Sequence, residues 1–294
     1  MDNTKAGLSE SAINKLVDAQ RNEITEYHVY SRLSEMIEDQ ENSKILLEVA
    51  EDERAHYDHW KSITNREVAP NRLKIWFYLA ISWILGITFG LRLMELGEEE
   101  AQETYRSLGE EVPGADRITR EEDEHEEELL EMINEERLHY IGSIVLGLND
   151  ALVELTGALA GLTLSLQDTR LIAMAGLVTG ISASLSMGAS EYLSTKSEGG
   201  DNALKASTYT GTTYLITVFL LIFPYLILPN YFLALCLTLA NAVLIILFFN
   251  FYISVAQNVS FRSRFTEMVA ISLTVAAFSF GIGFLVRFMM GVNV

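Results

Sequence analysis

Two short motifs in the first half of the chain each place a histidine three residues after a glutamate. Glu53 and His56 form one pair, and Glu122 and His125 form the other. Residues three apart share one face of an α-helix, so each pair can offer a carboxylate and an imidazole to the same ion. Carboxylate oxygens with one imidazole per metal suit iron or manganese better than zinc or copper. The motifs therefore predict a metal site built on helices.

Two more helices complete the predicted ligand set. Two Glu-x-x-His motifs and one glutamate from each of two other helices form the di-iron or di-manganese site of a four-helix bundle. The first helix offers Glu23, and the third offers Glu95 and Glu98, which again lie three residues apart. A single Glu-x-x-His in so acidic a segment also arises on a solvated charged face. The prediction therefore depends on all four helices together.

The ligand register of the fourth helix stays open. Glu121, Glu122 and Glu124 all lie within four residues of His125. Spacing alone favours Glu122, but it does not exclude the other two.

A second set of polar residues lies in the apolar second half. Charged residues within membrane spans are costly and are functional candidates by default. The candidates for binding metal or protons are Asp150, Glu154, Met187, Glu191 and Glu267. A carboxylate beside a thioether suits a borderline ion such as Fe²⁺ better than Mg²⁺ or Ca²⁺. Four of them have a structural alternative: packing against lipid or the core for Met187, a hydrogen bond or ion pair for Asp150, and an interfacial position for Glu191 and Glu267.

Charge divides the chain into two parts. Residues 1–139 carry 33 Asp and Glu against 15 Lys and Arg, whereas residues 140–294 carry 7 and 6. This division predicts an all-α chain with a soluble domain over 1–138 and a membrane domain over 139–294. An acidic domain attracts cations and repels both nucleic acid and anionic lipid head groups, so nucleic acid is excluded as a partner.

Hydrophobic periodicity predicts four helices in the first half. They cover about 9–37, 42–63, 72–108 and 120–139. The third contains an uncharged run, 75–91, at the short limit for a membrane span. A sixth span is one interpretation. We favour a buried or dimer-forming helix, because the run continues into an acidic segment without a turn signal. Such an apolar helix needs a partner surface or contact with lipid.

Five membrane spans are predicted in the second half. They cover about 141–166, 170–194, 208–228, 231–254 and 266–290. Each can cross a hydrocarbon core of about 30 Å, and small residues in the first two favour close helix packing. The Lys/Arg bias places the N-terminal domain in the cytoplasm. The cytoplasmic residues would be Arg137, Lys196, Lys205, Arg262 and Arg264, with Arg170 and Arg287 outside.

The first half, over about 9–137, resembles the rubrerythrin-like branch of the ferritin-like family. The two Glu-x-x-His motifs and the glutamates of the other two helices carry this resemblance. It implies a carboxylate-bridged di-metal centre that reacts with oxygen or peroxide. The third helix is more apolar than in soluble members, and the chain has no rubredoxin-like CxxC segment.

The second half, over about 139–291, resembles the vacuolar iron transporter family. The tandem Asn149-Asp150 and the run Ser186-Met187-Gly188-x-x-Glu191-Tyr192 carry this resemblance. It implies a dimeric five-span fold that moves Fe²⁺, and often Mn²⁺, out of the cytoplasm in exchange for protons. The metal-binding insert of eukaryotic members is reduced here to the loop 195–207. The order of the two halves is similar to that of the membrane-bound ferritin group of prokaryotes.

These observations predict a homodimeric exporter of Fe²⁺ or Mn²⁺ in a prokaryotic inner membrane, with a cytoplasmic di-iron bundle that collects or oxidises iron. Asp150, Glu154, Met187 and Glu191 would bind the ion, and the first two would also take up protons. One alternative is a membrane-anchored ferroxidase or peroxide-scavenging enzyme. Another is an iron sensor whose bundle gates transport.

Overall fold

The structure is a computed structural model that describes residues 9–108, 112, 114–131, 140–200, 202–257 and 259–290. Only the backbone is described at 98–108, 123–124, 126–128, 130–131 and 290. Every regular element in these ranges is an α-helix. The chain divides into two compact units, Met1–Glu135 and Glu136–Val294.

The first unit contains five described helices. They are α1 (Glu10–Met36), α2 (Gln40–Thr64), α3 (Arg72–Leu85), α4 (Ile87–Leu108) and α5 (Ala115–Glu131). Three of them begin after a side chain that accepts hydrogen bonds from the first turn, which is how an N-cap stabilises a helix start. These caps are Ser9, Asp39 and Asn71.

The prediction of one long third helix is wrong, because the chain breaks at Gly86. This residue has φ 107° and ψ 150°, a backbone conformation that glycine adopts far more readily than other residues. Gly86 still donates its N–H to the Ser82 carbonyl and accepts from Gly90 N–H, so the break leaves both hydrogen bonds in place. A Cβ added at Gly90 would overlap the Ser82 hydroxyl. The ends of α3 and α4 therefore meet closely.

The break also decides between the two interpretations of the uncharged run. The 14 residues of α3 span about 21 Å, which is too short for a hydrocarbon core of about 30 Å. A sixth span is therefore excluded. The expectation of a buried helix holds on one side only: Ile75 and Ser82 are buried, whereas Trp76 and Trp83 are 71% and 77% exposed.

The core of the first unit has an apolar cluster on either side of a polar layer. One cluster includes Leu16, Trp60 and Ile118, and the other includes Leu33, Leu46 and Leu129. Along α1, α2 and α5, the residues between these clusters include buried glutamates and histidines. The helices thus enclose a polar layer with apolar packing above and below it.

The second unit contains five helices that are long and apolar enough to cross a membrane, as predicted. They are α6 (Ile141–Leu166), α7 (Thr169–Ser197), α8 (Ala203–Ile227), α9 (Tyr231–Gln257) and α10 (Phe261–Met290). Both α8 and α10 begin five residues before the predicted spans, because each span continues as helix into a more polar segment. The protein is therefore an all-helical, multi-pass membrane protein.

Small residues bring the membrane helices into close contact, as their density predicted. A Cβ added at Gly147 of α6 would overlap the Thr210 carbonyl of α8. A Cβ added at Gly283 of α10 would overlap the Gly161 carbonyl of α6. The backbones of α8 and α10 therefore both approach α6 closely, in the way small residues permit between membrane helices.

Candidate metal centre

The polar layer of the first unit brings four predicted ligands together. Glu23 of α1, Glu53 and His56 of α2, and Glu122 of α5 present ligand atoms that all lie within 4.8 Å of one another. All four side chains are buried, with Glu53 and His56 only 1% exposed. Within the described residues, this is the one group of three or more such donors.

The two Glu-x-x-His motifs face each other across the layer with approximate twofold symmetry. His56 Nδ1 lies 3.7 Å from Glu53 Oε2 and 3.0 Å from Glu122 Oε1. His125 Nδ1 lies 3.7 Å from Glu53 Oε1 and 3.9 Å from Glu122 Oε2. The two ring centroids are 5.9 Å apart. Each glutamate thus presents one oxygen to each imidazole, an arrangement suited to bridging two ions.

The outer nitrogen of each imidazole contacts a carboxylate that precedes the opposite motif. His56 Nε2 lies 3.0 Å from Glu121 Oε2, and His125 Nε2 lies 3.1 Å from Asp52 Oδ2. A carboxylate that accepts the outer N–H orients a ligating imidazole and fixes its tautomer. Sequence reasoning missed Asp52, although Asp52 and Glu121 hold the same place, directly before the glutamate of each motif.

The predicted fourth helix is α5 in the structure, and this arrangement indicates which of its glutamates is the ligand. Glu122 is buried and faces both Nδ1 atoms. Glu121 is partly exposed and contacts the outer side of His56. The side chain of Glu124 lies outside the described residues. The geometry therefore favours Glu122 as the inward ligand and gives Glu121 an outer role.

Trp60 holds the first-helix glutamate in place. Its Nε1–H donates a 2.9 Å hydrogen bond to Glu23 Oε1, and the indole is fully buried. The other oxygen, Glu23 Oε2, lies 3.7 Å from His56 Nδ1. This partner was also missed from sequence, although Trp60 follows His56 by four residues and so shares its helix face.

Four buried atoms of the cluster have no hydrogen-bond partner among the described residues. They are Glu23 Oε2, Glu53 Oε2, His56 Nδ1 and His125 Nδ1. The 3.0 Å contact between His56 Nδ1 and Glu122 Oε1 lacks the angles of a hydrogen bond. Buried polar atoms without partners are costly. Carboxylate oxygens and imidazole nitrogens directed to one place fit a metal ion, which would satisfy all four.

The protonation states show how the cluster balances charge without metal. Burial raises the pKa of Glu23 well above its ordinary value. Burial acts in the same direction on Glu53, but the imidazoles of His125 and His56, each 3.7 Å away, outweigh it and lower the pKa of Glu53 to about 2. Burial would lower the pKa of His125, yet Glu122 and Glu53 raise it to about 10. The same balance, led by Glu122, raises the pKa of His56.

The remaining ligand predictions for this unit, Glu95 and Glu98, both lie on α4. Glu95 is half-buried and accepts a 3.3 Å hydrogen bond from the Tyr30 hydroxyl, while the side chain of Glu98 lies outside the described residues. Sequence reasoning missed Glu26. Burial, then the charges of Glu53 and Glu122, raise its pKa well above the ordinary value of a carboxyl group. Its position three residues after Glu23 was the available signal.

The five candidates in the membrane unit do not form one cluster within the described residues. Glu154 Oε2 accepts a 2.8 Å hydrogen bond from the Tyr214 hydroxyl. Glu191 Oε1 accepts a 2.6 Å hydrogen bond from the Ser143 hydroxyl. Sequence reasoning missed both partners, since neither is charged.

The other three membrane candidates differ in environment. Asp150 is half-buried, one helical turn from Glu154 on α6. Met187 is partly buried and packs against the apolar core of the second unit. Glu267 is exposed in the second turn of α10.

Comparison with known proteins assigns part of the second unit. Residues 141–200 match the VIT family, the vacuolar iron transporter family. The matched segment covers α6, α7 and the turns around them, and it contains Asp150, Glu154, Met187 and Glu191 but not Glu267. None of the curated protein sequences compared with the chain matched it. The family suggests a divalent metal transporter, and the buried cluster could bind a metal ion.

Proposed function

We propose that this chain exports Fe²⁺, and also Mn²⁺, through its membrane unit, and that its first unit is a ferritin-like di-metal domain that collects the cargo. The observation that carries the proposal is the VIT-family segment, which contains four of the candidate ligands. The paired Glu-x-x-His cluster supports the collecting role, since its donors suit the same ions.

In the proposed transport step, Asp150 and Glu154 on α6 and Met187 and Glu191 on α7 bind the ion at successive points, because the structure does not bring them into one cluster. The hydrogen bonds from Tyr214 and Ser143 hold Glu154 and Glu191 in fixed rotamers while no cation is bound. Asp150 and Glu154 take up protons when the cation leaves, because two neighbouring carboxylates in an apolar span are disfavoured as bare anions. Glu267, exposed near the start of α10, is a place for the ion to enter.

The proposed collecting role depends on charge. The first 139 residues carry a net charge of −18, and a negative surface raises the local concentration of cations. We propose that this unit lies in the cytoplasm of a prokaryotic cell, on the inner face of the plasma membrane. The Lys/Arg bias of the loops supports that orientation. Homodimerisation through small-residue faces of the spans is part of the same proposal.

A second candidate function is a membrane-anchored oxidase that acts on iron in the first unit. The two bridging glutamates and facing imidazoles favour it, because they suit a pair of ions. With peroxide as the oxidant, two Fe²⁺ each lose one electron, and H₂O₂ with two protons becomes two waters. Intramembrane Asp150 and Glu154 argue against a mere anchor, which gains nothing from them.

Metal uptake into proteoliposomes tests the proposed function. Vesicles with the first unit facing outward should take up Fe²⁺ and Mn²⁺, faster when the lumen is more acidic than the outside. Protein-free vesicles and an uncoupler that collapses the pH gradient are the controls. Uptake equal to that of protein-free vesicles under every gradient, with Fe²⁺ oxidation intact, would support the anchored oxidase instead.

The collecting role has its own test. Replacing Glu53 and His56 together with alanine should slow uptake at low external iron more than at high iron, because the bundle supplies ions without forming the pathway. A variant of Asp58, an exposed carboxylate on the same helix, changed to asparagine is the matched control. Loss of uptake at every iron concentration in the double variant would place the bundle in the transport pathway and refute this division of labour.

A further inference from the structure

One side of α3 leaves a large apolar surface exposed. Leu73 is 83% exposed, and Phe77 and Ile84 are 53% and 59% exposed, alongside the exposed indoles of Trp76 and Trp83. At 100° per residue, these five positions fall within an arc of about 120° on the helix. Soluble proteins rarely expose a contiguous apolar surface of this kind unless it contacts something.

The opposite side of α3 attaches the helix to the bundle. Ile75 is buried in the apolar cluster that includes Leu33 and Leu46, and Tyr78 and Leu79 pack against that cluster. The exposed side is therefore held outward by a fixed structure. We call these five exposed residues the α3 face.

A cationic pocket lies at the start of the α3 face. It is a cavity of about 300 Å³ lined by His28, Arg32, Pro70, Arg72, Ile75 and Trp76. Among the described residues, no carboxylate forms an ion pair with Arg32 or Arg72. Partial burial, then the charges of Arg32 and Arg54, lower the pKa of His28, so the positive charge of the pocket comes from its arginines.

The segment that contains α3 is net positive, whereas the first unit as a whole is strongly negative. Residues 61–94 carry five Lys and Arg against one acidic residue, Glu67. The whole stretch 1–139, by contrast, has a net charge of −18. Anionic lipid repels the acidic surfaces and attracts this one. Arginines beside an exposed tryptophan, as in the pocket of Arg32, Arg72 and Trp76, are the pattern of helices that lie in a membrane interface.

We propose that the α3 face docks into the headgroup region of the lipid bilayer, with a phospholipid phosphate in the pocket of His28, Arg32 and Arg72. The sequence left two occupants open, lipid and a second copy of the chain. The pocket favours lipid, because it pairs cations with an indole at the edge of an apolar surface. Nine residues, 132–140, join α5 to the first span, at most about 30 Å of extended chain, so a bilayer is always within reach.

Tryptophan fluorescence of the full-length protein in proteoliposomes tests this docking. The chain has three tryptophans. Two, Trp76 and Trp83, lie on the α3 face, and the third, Trp60, is fully buried. Phospholipids brominated on their acyl chains quench indoles that contact the bilayer. If the three indoles emit equally, docking exposes up to two-thirds of the emission to brominated lipid, and iodide in the water should quench little of it.

Amino-acid substitutions show which residues are responsible for the quenching by brominated lipid. Replacing Trp76 and Trp83 together with phenylalanine should abolish the quenching by brominated lipid, because only Trp60 then remains. Replacing Arg32 and Arg72 with alanine should weaken it in vesicles that contain anionic phospholipid. Replacing Arg21, an exposed arginine of α1 paired with Asp18, should leave it unchanged.

The wild-type protein alone gives the decisive comparison. Quenching by iodide and not by brominated lipid would mean that the α3 face lies in water, and the proposal would be overturned. Quenching by neither reagent would mean that protein covers the face, which would point to a second copy and also overturn it. Neither result would bear on metal transport, since the uptake assay is independent of this readout.

Discussion

At the scale of residues, each imidazole of the buried cluster lies between two kinds of carboxylate. Its Nδ1 faces Glu53 and Glu122 inside the first unit. Its Nε2 contacts an outer carboxylate, Glu121 for His56 and Asp52 for His125. If the outer carboxylate accepts the N–H, the inner nitrogen is left with a lone pair for a metal. Glu121 and Asp52 therefore determine whether the Nδ1 atoms of the two imidazoles can act as ligands.

We expect Asp52→Asn and Glu121→Gln, singly, to weaken metal binding by about 10- to 100-fold, the range found when outer carboxylates of metal-bound histidines are removed. An amide can donate to Nε2 as well as accept from it, so the imidazole loses its fixed tautomer. Mn²⁺ titration of the purified full chain measures the effect, with Asp58→Asn as the control. Affinity equal to wild type in both variants would contradict the positioning role.

The pKa values predict that metal binding releases protons. The pKa of His125 is about 10, and that of His56 is also raised, so both imidazoles hold an extra proton at pH 7 that a metal must displace. Apparent affinity should rise with pH by about tenfold per unit for each proton released, until the pH passes the raised pKa. Glu53, with a pKa of about 2, is already ionised and contributes nothing to this slope.

Calorimetric titration with Mn²⁺ at several pH values checks this slope. Two buffers with different ionisation enthalpies report the number of protons released. A binding constant that is flat between pH 6 and 8, with equal heats in both buffers, would show that the imidazoles are neutral or are not ligands.

Helical spacing predicted the inner residues of the site because they follow the period of the helix. Glu53 and His56, and Glu122 and His125, lie on single faces, and one face of each helix must point inward. Asp52 and Trp60 were not predictable in the same way. Their contacts depend on how far each helix is rotated about its axis, and no periodicity in one helix reports the rotation of another.

At the scale of elements, Gly86 determines the shape of the third helical segment. The uncharged run 75–91 reads as one continuous helix, since a single glycine inside a helical pattern is usually tolerated. The local sequence does not reveal that the backbone reverses there. Contacts from distant residues decide it: Ile75, Tyr78 and Leu79 pack against the α1–α2 core only if α3 leaves the line of α4.

We expect Gly86→Ala to destabilise the first unit by about 1–3 kcal/mol, because φ 107° is strained for any residue with a Cβ. Gly97→Ala, in α4, is the matched control. Its Cβ would meet the Tyr78 hydroxyl at an ordinary 3.5 Å, and alanine in a helix interior is favoured over glycine. Chemical denaturation followed by tryptophan emission measures both. Equal stabilities would mean that α3 and α4 can join as one helix.

At the scale of the whole molecule, sequence predicts the helices of the membrane unit better than it predicts the contacts of their polar residues. Five apolar spans follow from hydropathy, because lipid allows few structures other than helices. Small residues predicted the close contacts of α6 with α8 and α10, because they let the backbones of membrane helices approach each other. The partners of polar residues within the spans, such as Tyr214 for Glu154, depend on helix rotation and were not predictable.

The proposed division of the molecule into a metal-binding unit and a transporting membrane unit can be tested at one residue, Asp150. Replacing it with asparagine keeps the size and hydrogen-bonding capacity of the side chain but removes its charge. A carboxylate in an apolar span should be paired with a cation or protonated, the two states that a proton-for-metal exchanger alternates between. The asparagine variant should therefore fold, bind metal in the first unit, and fail to carry Fe²⁺ into proteoliposomes.

Glu198→Gln is the control for Asp150→Asn, since Glu198 is an exposed carboxylate that caps the end of α7, outside the span. It should transport like wild type. If Asp150 only donates or accepts a structural hydrogen bond, asparagine would serve equally well and Fe²⁺ flux would stay near the wild-type level. That result would remove Asp150 from the pathway. Loss of flux with metal binding intact would instead separate the two activities, because an anchored oxidase needs no charge at this depth of the membrane.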